Sequence, residues 1–242
     1  VTVCNHAHNG RSTETFRNEG HFDLIQKQLR PGDFVVIQFG HNDQKHPHLQ
    51  AYNGYPENLR RFIAEIRAKK ALPILATPIA RNVWTEQNGK LTYNDLLHDH
   101  AQACIALGKE LNVPVLDLHQ AAMDEIIRLG RDASKIYYHQ GDWTHTNDYG
   151  AVRAAGYAAD ELRSLGEAFP DYLPLIQTVS ASSEPWKPEA ALLLEKPARL
   201  AGVKDPNGTE EETAAQDHQA EKDGGDSPAR PLDAVKNAKE NQ

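Results

Sequence analysis

Apolar positions along the first two thirds of the chain fall into two alternating patterns. The short continuous runs DFVVIQF (33–39), PILAT (73–77) and VPVLDL (113–118) have the compact character of strands buried on both faces, and VTVC (1–4) predicts a further one. Between the runs, apolar residues recur at helical spacing. In PENLRRFIAEIRAKKA, Leu59, Phe62, Ile63 and Ile66 stand at i, i+3, i+4 and i+7, with Pro56 suited to a first turn and Lys69 and Lys70 to the last. NDLLHDHAQACIALGKELN puts Leu97, Ala101, Cys104, Ile105 and Leu111 on one stripe, and HQAAMDEIIRLG puts Met123, Ile126 and Ile127 ahead of a terminating Gly130. An alanine-rich helix is predicted from about 148 to 164, small-faced enough to pack closely on a sheet. Strands alternating with helices in this way predict an α/β domain, a parallel sheet with helices on both faces.

The pattern changes after about residue 174. Residues 178–242 carry 13 acidic and 8 basic residues with almost no aromatics, a composition that cannot bury enough apolar surface to fold alone. The expected organisation is therefore one folded domain, 1–175, and a polar, disordered tail, 176–242. A net charge of −8 leaves no basic stripe for tracking nucleic-acid phosphates. No apolar run approaches membrane-spanning length. The two cysteines, Cys4 and Cys104, make neither a zinc spacing nor a disulfide framework and read as small buried apolar residues. Twelve histidines include the pairs His6/His8, His46/His48 and His98/His100, but none has a third ligand at recognisable spacing, so no metal site is expected.

In folds of this class ligands bind beyond the carboxyl ends of the strands. Three polar, glycine-bearing segments occupy such places: NHAHNGRST after VTVC, GHNDQ after DFVVIQF, and DWTHTNDYGA before the last helix. Gly40 allows a sharp turn after which Asn42 either closes the turn or presents an amide N–H to an oxyanion. Gly10 is either a turn glycine or a place where a backbone N–H is closely approached. Asp142 stands three residues before His145, a spacing that on a tight turn lets a carboxylate orient an imidazole and stabilise its protonated form. Tyr52, Tyr55, Trp84 and Trp143 are expected on loops at this face, where aromatic rings could stack on pyranoses; Trp143, between Asp142 and His145, is the foremost candidate for substrate binding.

Taken together, in order and strand context, these segments resemble the SGNH (GDSL-type) hydrolases, specifically their rhamnogalacturonan acetylesterase-like branch. NHAHNGRST resembles the family's second block, QFGHNDQ the third and DWTHTNDYGA the last; PILATPIAR and LGKELNVPVLDL also look typical of the branch. The resemblance covers roughly residues 1–165. It implies a three-layer α/β/α sandwich of flavodoxin-like type with sheet order 2-1-3-4-5. It further implies His145 as general base, Asp142 as its orienting partner, and Gly10 and Asn42 as oxyanion donors. The implied reaction is removal of acetyl groups from a pectic polysaccharide or oligosaccharide, with no metal or organic cofactor, by a protein exported to the periplasm or the exterior. The family's first block, a strand ending in Gly-Asp-Ser that supplies the nucleophile, has no counterpart here, so the expectation is a fold lacking its first, interior strand and a site with no nucleophile. A carbohydrate-binding pseudoenzyme is the alternative. Ser12 matches a structural position of the second block, and Gly225-Asp226-Ser227 follows no apolar strand.

Overall fold

The computed structural model describes residues 2–181. Its strands are β1 (Phe34–Gln38), β2 (Leu72–Ala76), β3 (Trp84–Gln87), β4 (Lys90–Tyr93) and β5 (Val115–Leu116). Its helices are α1 (Thr13–Asn18), α2 (His21–Gln28), α3 (Gly54–Ala68), α4 (His98–Leu111), α5 (Leu118–Leu129), α6 (Asp148–Ser164) and α7 (Leu173–Ala181). The three apolar runs at 33–39, 73–77 and 113–118 form a parallel sheet in the order β1-β2-β5, with Val36 opposite Ile74 and Leu75 opposite Val115.

Side chains alternate across a strand, and β2 sorts the core accordingly. Leu75 joins Ile37 against α1 to α4, with Phe16, Phe22, Phe62, Ile66 and Leu107. Ile74 and Ala76 join Leu116 on the other face, against Met123 and Ile126 of α5, Tyr157 of α6 and Ile176 of α7. A fully buried aliphatic side chain such as Ile74 or Leu75 contributes about 1.5–3 kcal/mol relative to exposure. These two cores, one on each side of a parallel sheet, make the three-layer α/β/α sandwich expected from the sequence.

VTVC is a correction. Thr2, Val3 and Cys4 carry no regular secondary structure, and Val3 is 87% exposed. A four-residue strand is worth forming only when a neighbour satisfies its backbone groups, and β1 pairs on one side alone among the described residues. Its outer edge leaves Val36 56% exposed. Cys4, expected to be buried, is exposed, whereas Cys104 is buried in α4.

Five elements lie outside the sequence expectations: α1, α2, β3, β4 and α7. Ser12 caps α1 by accepting from the Thr15 N–H at 3.1 Å while Thr15 Oγ1 accepts from the Ser12 N–H at 2.9 Å, a capping box with threonine in the place usual for glutamate. Helix α2 follows directly. Strands β3 and β4 form a hairpin around Asn88 and Gly89, both at positive φ, the Asn-Gly turn that matches strand twist. Helix α7 also runs across the boundary expected at 175, with Ile176 in the core. The tail from 182 onward lies outside the described residues.

Candidate active site

The segment between the 3-10 turn Ala133–Tyr137 and α6 is closed by backbone bonds at its base. Tyr138 bridges to Thr146, His139 N–H donates to His145 O at 3.1 Å, and Asn147 N–H donates to Tyr137 O at 3.1 Å. Asn147 also caps α6, accepting from Gly150 N–H at 2.9 Å. Gly150 has no alternative there, because a Cβ would run into the Tyr137 carbonyl. Within this closed loop Asp142 binds its own turn: Oδ1 accepts from the N–H groups of Thr144 at 2.6 Å and His145 at 3.0 Å. Its Oδ2 accepts from His145 Nδ1–H at 2.7 Å.

Burial alone would raise the Asp142 carboxyl, but the bonds from His145, Thr144 and the His145 backbone outweigh it and hold the group well below the usual carboxylate range. Asp142 therefore stays ionised at neutral pH. With Nδ1 committed to Asp142, Nε2 is the ring nitrogen on the far side from the carboxylate. The His145 side chain is 33% exposed against 9% for Asp142, so the imidazole reaches solvent while the carboxylate is largely covered.

Gly10, Asn42, Asp142, Trp143 and His145 line one cleft of about 3930 Å³ that extends along the open edge of β1. This is several times the roughly 300–1,000 Å³ of an ordinary small-ligand pocket. The backbone at Gly10 is left-handed, φ +70, and a Cβ there meets nothing within 4 Å, so glycine is required by conformation and its surroundings are open. Gly40 is required twice over: its φ is +136, and a Cβ would lie 2.9 Å from Pro78 Cγ. After it, Asn42 Oδ1 accepts from Lys45 Nζ at 3.0 Å, which turns Nδ2 toward the Arg11 carbonyl at 3.4 Å. His41 is pushed toward its neutral form by burial and by the nearby Arg81, and donates from Nε2 to Ile79 O at 2.9 Å.

The aromatic expectations divide. Trp143 and Trp84 line the cleft, Trp84 from β3 rather than from a loop. Tyr55 is 0% exposed in α3, its hydroxyl donating to Phe39 O at 3.1 Å, so it belongs to the core. Tyr52 is 74% exposed and donates to Asp99 Oδ1 at 3.4 Å. Ser12 is 1% exposed and occupied as a helix cap. Among the described residues no serine lines the cleft.

Two buried polar groups carried no signal in local spacing. Asp95, at the start of the turn before α4, faces His119 Nε2 at 3.0 Å and His98 Nδ1 at 3.3 Å. Glu125 of α5 accepts from Tyr137 and Tyr157 hydroxyls at 2.5 Å each and from Arg153 Nε at 2.6 Å, tying α5, α6 and the base of the Asp142 loop together. Each unites residues more than ten positions apart, except the Asp95–His98 contact. Among the described residues no group of three or more histidine, cysteine, aspartate or glutamate side chains is placed to hold a metal ion, and no helix is long and apolar enough to cross a membrane.

Residues 1–159 match the GDSL-like Lipase/Acylhydrolase family. The chain is 34% identical over 186 residues to rhamnogalacturonan acetylesterase RhgT of Bacillus subtilis, covering 72% of this chain and 79% of that one. It is 28% identical over 197 residues to the rhamnogalacturonan acetylesterase of Emericella nidulans, covering 72% and 78% respectively. The crystal structure of YxiM from Bacillus subtilis is similar with a TM-score of 0.60 and 30% identity, over 68% of this chain and 46% of that longer one.

Proposed function

The chain belongs to the GDSL-like Lipase/Acylhydrolase family, and on that premise we propose that it carries the acid–base and oxyanion parts of a carbohydrate esterase that removes acetyl groups from pectic polysaccharide. The observation that carries this reading is the Asp142–His145 bond of 2.7 Å in a cleft that Gly10 and Asn42 also line. The rhamnogalacturonan acetylesterases among its relatives support the substrate class.

In this mechanism a serine hydroxyl attacks the acetyl carbonyl as His145 Nε2 takes its proton, and Asp142 stabilises the imidazolium without itself being protonated. The Gly10 N–H and the Asn42 amide receive the negative charge that develops on the carbonyl oxygen. Collapse of the tetrahedral intermediate expels the sugar hydroxyl, which takes its proton from His145. Water, deprotonated by the same nitrogen, then releases acetate and restores the serine. The attacking serine of this mechanism is not among the described cleft residues. Trp143 supplies an apolar ring face for a pyranose.

Acetate release from acetylated rhamnogalacturonan oligosaccharides tests this, using the protein as its cell makes it. Release is expected and is abolished by His145→Ala; release that survives that substitution sinks the mechanism. The 242-residue chain alone is expected to give negligible hydrolysis of p-nitrophenyl acetate. The lack of a serine in the described cleft favours one second reading, a binding protein that holds the polysaccharide without cleaving it. Calorimetric titration that shows Trp143-dependent oligosaccharide binding by the natural protein, with no acetate release, selects that reading.

A further inference from the structure

We propose that Asp43 is a positioning residue of the oxyanion site: its buried carboxylate clamps the turn that carries Gly10 against the turn that carries Asn42. The proposal rests on the reading of those two residues as oxyanion donors. Asp43 is 0% exposed. Its Oδ1 accepts from the Thr13 N–H at 3.0 Å and the Thr13 hydroxyl at 2.5 Å, and its Oδ2 accepts from the Gly40 N–H at 3.2 Å. Thr13 stands three residues after Gly10 at the start of α1; Gly40 stands two residues before Asn42.

One side chain thus joins two turns that are thirty residues apart in sequence. The Thr13 hydroxyl, while donating to Asp43, accepts from Asn58 Nδ2 at 2.9 Å, which anchors the junction to α3. A second stitch, Asn42 Nδ2 to Arg11 O at 3.4 Å, spans the same two turns but is long and weak. Receiving three donors while offering none calls for an ionised carboxylate; an amide or an alcohol brings a hydrogen that must point at another donor. The bonds are strongest when Asp43 is charged, because charge-assisted bonds are roughly twice as strong as neutral ones.

All three donors are neutral, and the ionisable side chain facing Asp43 from α3 is Tyr55, which burial keeps in its uncharged form. Burial pushes the Asp43 carboxyl up to about 6, against the bonds from Thr13 and Gly40. Protonation near that pH replaces an acceptor site with a donor and loosens the junction, so the spacing of the two oxyanion donors follows the state of a group that touches neither substrate nor base.

A heteronuclear NMR titration of the full chain from acid to neutral pH tests the clamp independently of any esterase activity. The Thr13 and Gly40 amides are expected to shift with a midpoint near 6, the value to which burial moves Asp43. The Gly10 amide and the Asn42 side-chain amide are expected to follow with the same midpoint, and Asp43→Asn to erase the transition from all of them. Gly108, in α4, serves as the remote reporter that stays still. Gly10 and Asn42 signals that stay fixed while Thr13 and Gly40 move would overturn the proposal. So would a transition that persists in Asp43→Asn, since it would then belong to neighbouring imidazoles. Should that variant not fold, Thr13→Val removes one bond to the charged form and is expected to raise the midpoint at Gly10 and Asn42 as well as at Gly40; a rise confined to Gly40 overturns the clamp. Sodium acetate, added separately, tests the oxyanion reading: perturbation of Gly10 and Asn42 supports it, and silence there refutes the oxyanion role while the titration still decides whether Asp43 couples the turns.

Discussion

Among the described residues, two histidine–aspartate pairs of similar length do different things. His145 meets Asp142 at 2.7 Å, and His119 meets Asp95 at 3.0 Å. In the first pair the carboxylate takes Nδ1 of a side chain 33% exposed at the cleft. In the second, Nε2 faces Asp95 while Nδ1 lies 3.1 Å from the Pro78 carbonyl, and the side chain is 4% exposed. Both His119 nitrogens face oxygen atoms, so the ring serves as a strut between the loop after β2, α5 and the turn before α4. A carboxylate beside an imidazole is therefore not by itself a catalytic base. What separates the two pairs is access: the His145 side chain opens on the cleft, whereas that of His119 is packed inside.

The largest expected effect breaks the pairs apart functionally. His145→Ala should lower whatever acetyl-ester hydrolysis the protein sustains by about 1,000-fold or more while changing the urea midpoint little, because Asp142 keeps its bonds from the Thr144 and residue-145 backbone N–H groups when the imidazole is removed. His119→Ala should do the reverse. It strands the Asp95 carboxylate, now held well below its usual range because its bonds to His119 and His98 outweigh burial, and should cost about 3–5 kcal/mol of stability in a urea melt. Equal losses of stability in the two variants would remove the distinction.

The pH dependence sharpens it further. Asp43 rises from 3.8 to about 6 on folding because of burial. Between those values the unfolded chain has lost the proton that the folded chain retains, so this group's contribution is fully present below about pH 4 and lost as pH rises through 6. Asp43→Asn should flatten that decline, worth on the order of 3 kcal/mol, in stability measured at pH 4 and at pH 7. The smallest effect belongs to Asp142, whose folded carboxyl is depressed and whose contribution runs oppositely, present above pH 4 and lost on acidification. Asp142→Asn should cost about 1–2 kcal/mol at pH 7, shrinking as the wild-type carboxylate itself protonates in acid. A deficit that persisted undiminished in strong acid would contradict that account.

The alternation of elements is legible along the chain because it is written in local periodicity. The stripe Leu59, Phe62, Ile63, Ile66 becomes the buried face of α3, and the alanine-rich stretch becomes α6 at Asp148–Ser164. The apolar runs become β1, β2 and β5, with β5 reduced to Val115–Leu116. The Asp142–His145 contact is legible for the same reason, since a turn closing over three residues needs nothing from the rest of the fold. The hairpin of β3 and β4 escapes the sequence reading despite its Asn88-Gly89 turn, because the polar strands around it lack an alternating apolar signal. VTVC has strand composition, yet its described residues Thr2, Val3 and Cys4 form no strand, because composition cannot supply a neighbour to bond with.

Determined by the sequence alone, then, are the helical faces, the parallel-sheet class and the local carboxylate–imidazole turn, all set by spacings of a few residues. Tertiary structure decided which imidazole side chain reaches the cleft, which aromatic ring is core and which lines the cleft, and how Gly10 comes to lie near Asn42. Those outcomes hang on contacts between distant positions, Thr13 with Asp43 and Asp95 with His119 among them, whose energies depend on burial. Burial is a property of the packed chain, and no stretch of sequence possesses it before the layers close.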